Sequence, residues 1–235
     1  MEYQHGSANE SRMATSMSEI FGWFDQHNRD QLDILIREYE VKTVLEIGTF
    51  LGLSAAWFAE RVDHVYCVDK FEEQDTRDSE LSVYRWLVER NIPAQFFDTF
   101  RQNMQDAGVW NKITPLRGWS ADVVDLAPVV DLVYVDGDHT KFGCGRDIQL
   151  YLPKARLVIC GDDYVSYKSE YGVIQAVTEL LPAHKSYGPF WYYENEKYQH
   201  DYLQHESRSS VRCIAPKHQA TCCLALATND TIPVY

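Results

Sequence analysis

The sequence predicts an α/β fold: a mostly parallel sheet with helices on both faces. Three observations carry that expectation. Short β-rich runs alternate with helix-like segments; two runs, 44–47 and 132–135, are almost unbroken apolar stretches; and Gly48 and Gly52 follow directly on the first of them. Strands buried on both faces lose the alternation of half-exposed strands, and strand–helix alternation is the pattern of parallel sheets.

In chain order, residues 1–17 are polar and aperiodic, and are expected to fray. From Ser18, a plausible N-cap, the apolar residues Ile20, Phe21, Phe24, Leu32, Leu35 and Ile36 are spaced for one face of a leading helix over 18–40. A core of 41–182 follows. Its strands are expected at Thr43 to Ile47, His64 to Val68, Ile113 to Leu116, Leu132 to Asp136 and Leu157 to Cys160, with helices near 53–61, 78–90, 99–107, 141–151 and 171–181. Over 183–235 the pattern weakens. An aromatic tract (Phe190, Trp191, Tyr192, Tyr193, Tyr198, Tyr202) reads better as the two faces of a strand or a dimer contact than as a pocket wall, and Cys222 to Ala227 is a candidate closing strand.

A chain of 235 residues, 45% hydrophobic, is long enough for one sizeable core, and a single domain is expected. A net charge of −13 with no Lys/Arg run argues against a nucleic-acid partner. No run is long enough to span a membrane and no leader pattern is visible, so a soluble, cytoplasmic protein is expected. Six cysteines without a C-x-x-C pair read as buried free thiols.

Chemistry concentrates where the strands run out. Glycines at 48 and 52 make a turn that a ligand can approach closely, and the spacing E-x-G-x-x-x-G differs from the dinucleotide pattern by lacking its third glycine. Glu46 is an acid at the end of an apolar strand, costly unless it has a partner. The second strand ends in Asp69, where a carboxylate can accept from both hydroxyls of a ribose. Two later strands end in Asp136-Gly-Asp-His139 and Gly161-Asp-Asp-Tyr164. In a parallel sheet all these ends share one rim. Carboxylates so gathered repel one another unless a cation relieves them, and hard oxygen donors favour Mg²⁺, or Mn²⁺ or Ca²⁺, over Zn²⁺. Helix capping or salt bridging by these acids is the alternative.

VLEIGTFLGLS followed by VYCVD resembles the first two motifs of class I S-adenosylmethionine methyltransferases, and Gly118-Trp-Ser-Ala-Asp122 resembles their third. The resemblance implies a Rossmann-like, doubly wound, mostly parallel seven-stranded sheet. It also implies a cofactor site of Glu46, Gly48, Thr49, Gly52, Ser54, Asp69, Trp119, Ser120 and Asp136, with Glu46 near the methionine ammonium and Ser120 near the adenine. Trp119 suits stacking on that adenine or a place in the core equally well. The pattern D-G-D-H…G-D-D-Y resembles metal-dependent O-methyltransferases of the catechol and caffeoyl-CoA type, and more closely relatives that tailor sugars and secondary metabolites. Asp136, Asp162 and Asp163 would then be metal ligands, although the plant enzymes have Asn where Asp163 stands.

Asp136 and His139 are the catalytic candidates, with His139 in the place of a Lys thought to serve as base and Lys141 its nearby substitute. A neutral imidazole near pH 7 could take a hydroxyl proton. Pro153-Lys-Ala-Arg156 departs from the Pro-Gly-Gly turn of many relatives. The expected reaction is methyl transfer to a hydroxyl of a small metabolite such as a sugar, a phenol or a natural-product intermediate. Rival readings are a nicotinamide-dependent oxidoreductase, a non-catalytic nucleoside-binding module and an aminopropyl transferase. The expected partner is the small-molecule substrate; a homo-oligomer is compatible with the leading helix and aromatic tail.

Overall fold

The computed structural model describes residues 20–71, 95–166 and 171–195. Its sheet has seven strands: β1 (Thr43–Ile47), β2 (His64–Asp69), β3 (Ile113–Arg117), β4 (Val130–Val135), β5 (Ala155–Gly161), β6 (Lys185–Tyr187) and β7 (Phe190–Glu194). They lie in the order β3-β2-β1-β4-β5-β7-β6. The first five pair in parallel, while β7 runs antiparallel to β5 and β6 antiparallel to β7. Pro115 is tolerated because β3 is an edge strand among the described residues.

Among the described residues six α-helices accompany the sheet: α1 (Gln26–Glu38), α2 (Leu53–Ala59), α3 (Phe96–Asp106), α4 (Ser120–Val123), α5 (Lys141–Tyr151) and α6 (Val173–Leu180). Side chains alternate along the central strands and divide the core in two. Val44, Leu132, Tyr134 and Val158 face α1, α2 and α3, whereas Leu45, Ile47, Val133 and Ile159 face α5 and α6. Both faces are thus covered, which is why β1 and β4 read as continuous apolar runs.

The leading helix is shorter than its apolar spacing suggests. It begins at Gln26, capped by Asp25, whose side chain accepts the Asn28 amide at 2.8 Å, and not at Ser18, which lies outside the described residues. Residues 20–25 are extended or bent, and a Cβ on Gly22 would sit 2.9 Å from Leu53 Cβ. Ile20 and Phe24 are nevertheless buried, because that segment is pressed directly on the core: Phe24 meets the rings of Trp57, Phe58 and Tyr134. Burial imitated helical periodicity here without helical backbone. The helix expected near 78–90 and the strand expected at 222–227 fall outside the described residues. Among the described residues the sheet reaches seven strands through the hairpin of β6 and β7, drawn from the aromatic tract.

The departure at Pro153–Arg156 has a structural counterpart. Arg156 pairs with the buried Asp131 at the start of β4, and that carboxylate also accepts the Lys42 and Thr43 amides at 2.8 and 3.0 Å. Lys154 donates to the Ala127 carbonyl at 2.7 Å. Side chains therefore hold the entry to β5 where a glycine turn is missing. Cys67, Cys144 and Cys160 are free and buried, and no helix among the described residues is long and apolar enough to cross a membrane.

Candidate active site

Strand register brings the chemistry together. Ile47 pairs with Val68 and Val135, and Val135 with Gly161, so the residues that follow β1, β2, β4 and β5 emerge side by side. Gly48, Asp69, Asp136 and Asp162 lie along that rim, which includes the topological switch between β1 and β4.

The turn after β1 is built on two left-handed glycines. Gly48 has φ +92°, and a Cβ there would lie 2.1 Å from the Asp136 carbonyl oxygen, so both conformation and crowding demand glycine. Gly52 has φ +90° and caps α2 beneath Phe100 and Met104 of α3. Between them Phe50 is also left-handed, at φ 51°. The Asp69 carboxylate reaches across from β2 and accepts the Phe50 amide at 2.8 Å through Oδ2 and the Phe71 amide at 2.7 Å through Oδ1. Burial raises the Asp69 pKa, and these two hydrogen bonds act against that rise.

Glu46 lies under the turn, fully buried, with the Ser54 and Thr49 hydroxyls beside its carboxylate but no well-aligned hydrogen bond to either oxygen. Burial pushes the Glu46 carboxyl up to about 7, the neighbouring Ser54 and Thr49 hydroxyls hold it down, and the charges of Asp136 and Asp69 add to the rise. A buried carboxylate without partners is costly, and such groups concentrate where a ligand supplies what the protein omits.

Beyond β3, Gly118 donates its amide to the Asp69 carbonyl at 3.0 Å, joining this turn to the β2 end. Trp119 is 59% exposed, with the Lys70 ammonium 4.7 Å over its ring, so it is a surface platform and not a core residue. Ser120 is buried and donates through Oγ to Asp147 Oδ1 at 2.5 Å.

At the β4 and β5 ends, ligand atoms of Asp136, His139 and Asp163 lie within 4.8 Å of one another. His139 Nε2 is 2.9 Å from Asp163 Oδ2 and 3.5 Å from Asp136 Oδ1. Burial lowers the imidazole pKa, but Asp136 and Asp163 outweigh it and hold the ring up to about 10. In the ligand-free site Asp136 and Asp163 thus favour the protonated imidazole, so His139 would serve as base or ligand only after releasing that proton. Lys141, the substitute, is turned away to Glu179, 2.6 Å from its Nζ.

Asp162 is not in the three-residue group. Its Oδ1 accepts the Asp163 amide at 2.6 Å, and burial, then the charge of Asp136, push its carboxyl up to about 7.

Residues not anticipated complete the rim. The Tyr171 ring stacks on His139 at 4.6 Å and 8°. Asn28 of α1 is fully buried with both amide atoms orphaned, yet close enough to Asp162 to favour its charge; the Tyr134 hydroxyl is orphaned too. A signal for Asn28 was present, since an amide four residues before Leu32 interrupts the apolar stripe of α1. Phe21 and Trp23 pack against Phe50, with centroids 6.1 and 5.9 Å away, and so wall the glycine turn. Phe190 and Trp191 are buried in β7, as the strand reading of the aromatic tract expects, while Tyr198 and Tyr202 lie outside the described residues.

This doubly wound sheet, with its glycine turn, ribose-type acid and acidic switch point, defines the class I methyltransferase fold. Residues 45–164 match the family described as methyltransferase domain, and the chain belongs to it. No curated protein matches the chain in sequence. Among solved structures it resembles an O-methyltransferase from Bacillus cereus in complex with SAH, with 17% identity, a TM-score of 0.53, and 74% of this chain and 83% of that chain covered. It also resembles the O-methyltransferase TomG from Streptomyces achromogenes, involved in tomaymycin synthesis and in complex with SAM, with 16% identity, a TM-score of 0.51, and 72% and 79% covered. At these identities the likeness is one of fold.

Proposed function

We propose that this protein transfers a methyl group from S-adenosylmethionine to a hydroxyl oxygen of a small metabolite, assisted by a divalent cation. The observation that carries the reading is the pairing, on one rim, of an orphaned acid under a glycine turn with a compact acidic cluster. Glu46 suits the methionine ammonium, Asp69 retains lone pairs for the ribose hydroxyls, and Trp119 offers a face to the base.

Asp136 and Asp163 would hold the cation together with His139, whose imidazole must first give up its proton, and Asp162 stands beside them. The carboxylates are hard oxygen donors that suit Mg²⁺, Mn²⁺ or Ca²⁺, and of these Mn²⁺ best accepts an imidazole as well. Once bound, such an ion lowers the pKa of an acceptor hydroxyl and orients its oxygen. In the transfer the methyl carbon would leave sulfur and bond to the acceptor oxygen, S-adenosylhomocysteine would be released, and the hydroxyl proton would pass to Asp162, the rim carboxylate outside the three-residue group. The sulfonium is already activated, so alignment and exclusion of water supply most of the rate. Phe21, Trp23 and Phe50 form an apolar wall suited to both tasks.

The test is calorimetric titration with S-adenosylhomocysteine and with Mn²⁺, followed by S-adenosylhomocysteine release over a panel of hydroxylated acceptors. Absence of nucleoside binding would sink the reading. Turnover that persists in EDTA and in Asp163→Ala would remove its metal half.

A further inference from the structure

Tyr171 reaches the rim from the entry to α6, not from a strand end. Its ring lies 4.6 Å from the His139 imidazole at an interplanar angle of 8°, a parallel stack near the closest spacing of aromatic pairs. The backbone adds a second contact one residue on, where the Gly172 amide donates to the His139 carbonyl at 2.8 Å. Gly172 stands at the N-cap of α6, and a Cβ there would lie 2.5 Å from the Lys141 Cα, so the entry to α6 is pressed against the entry to α5. His139 is therefore gripped twice, once through its ring and once through its main chain.

An imidazole needs such a grip more than an ammonium does. Its two nitrogens sit on different edges of a rigid ring, and each offers its proton or lone pair in one direction within the ring plane. The last torsion of the side chain joins sp³ and sp² carbons and has broad wells, so an unsupported ring samples many directions. Here Nε2 is 2.9 Å from Asp163 Oδ2 and 3.5 Å from Asp136 Oδ1, and turning the ring away from them would break the parallel stack. We propose that Tyr171 is a positioning residue, whose ring holds the His139 imidazole in the plane that aims Nε2 between Asp136 and Asp163, where a cation would bind. The inference rests on reading this cluster as the cation site of the methyl transfer.

The experiment is calorimetric titration of the full chain with Mn²⁺ at one fixed pH, in a double-mutant cycle of Tyr171→Ala and His139→Ala. An aromatic pair is worth roughly a twofold to tenfold change in the population of the aimed ring, and Tyr171→Ala is expected to weaken Mn²⁺ binding by about that factor. Tyr171→Phe keeps the stack and therefore wild-type affinity. In the His139→Ala background, which retains the two carboxylates, Tyr171→Ala is expected to change nothing further.

A loss of the same size with and without His139 overturns the proposal, because Tyr171 then acts on the site by another route. A loss in Tyr171→Phe as large as in Tyr171→Ala overturns it too. Proton magnetic resonance of the metal-free protein supplies a second readout: the His139 ring protons are expected to be shifted upfield by the facing ring, and Tyr171→Ala to abolish the shift. Unshifted His139 protons in the wild type would mean that the stack does not persist in solution, and would end the proposal. Should Tyr171→Ala not fold, Tyr171→Leu fills the space without a flat ring and takes its place in the cycle. A wild type that binds no Mn²⁺ ends the cation half of the proposed function, whereas Mn²⁺ binding indifferent to Tyr171→Ala removes only the role of Tyr171.

Discussion

Asp69 Oδ2 accepts the Phe50 amide at 2.8 Å, so the acid that ends β2 also fixes the turn that follows β1. The left-handed φ of 51° at Phe50 is costly for a bulky residue and persists where its surroundings over-determine it. Asp69 is one such constraint; the Trp23 ring stacked on Phe50 is another.

Asp69→Ala leaves the Phe50 and Phe71 amides without their acceptor. Each lost bond costs about 1–3 kcal/mol, but relief of the desolvated carboxylate offsets part of it, so a net loss of about 2 kcal/mol is expected. Urea denaturation measures it, and S-adenosylhomocysteine affinity should fall by more than the stability loss alone implies. A variant as stable as wild type would show that the turn stands without Asp69.

Gly48→Ala meets a backbone obstacle. The new Cβ would lie 2.1 Å from the Asp136 carbonyl oxygen at φ +92°, and neither strand can shift without opening the β1–β4 pairing. A loss of about 3 kcal/mol or more, or failure to fold, is expected in thermal and chemical denaturation. Wild-type stability would mean that the ends of β1 and β4 yield to the added methyl group.

Glu46 makes the ligand-free protein sensitive to pH. Its carboxyl rises from 4.5 in the unfolded chain to about 7 in the fold, so between these values the native state holds a proton that the unfolded state has released. Stability falls as pH rises through this window, by up to about 3 kcal/mol from this group, and is flat on its account below and above. Glu46→Gln is expected to flatten that slope and to stabilise the ligand-free protein at pH 8, while weakening S-adenosylhomocysteine binding at least tenfold. A stability profile identical to wild type would mean Glu46 is not the buried acid responsible.

Trp119→Ala separates binding from folding. The ring is 59% exposed and contributes little burial, so the thermal midpoint should stay within a degree or two of wild type. A base stacked on it is worth about 1–3 kcal/mol, and affinity for S-adenosylhomocysteine should drop roughly tenfold. Unchanged affinity would remove Trp119 from the site.

Much of the rim was legible in the sequence because it follows from strand ends. Helix α5 and strand β1 begin and end where periodicity and the glycine turn place them. The first residues of the leading segment misled for a physical reason: Phe24 covers Trp57 and Phe58, Ile20 is buried in the same core, and burial selects the same residue types in extended chain as in helix. The metal-type cluster was half legible. Asp136 and Asp163 were marked by position, but His139 entered it as a third ligand atom and Asp162 did not, since one Asp162 oxygen turns back to the Asp163 amide.

The sequence by itself determined the α/β alternation, the two left-handed glycines and the acids at the ends of the first, second, fourth and fifth strands, because each depends on local periodicity or local backbone. Only the tertiary structure decided what those groups are to one another. The charged state of His139, the diversion of Lys141 to Glu179, the orphaned Glu46 and Asn28, and the hold of Asp147 on Ser120 all depend on distances between distant segments. Electrostatics and hydrogen bonding act over a few ångströms of space, and sequence separation does not measure those distances.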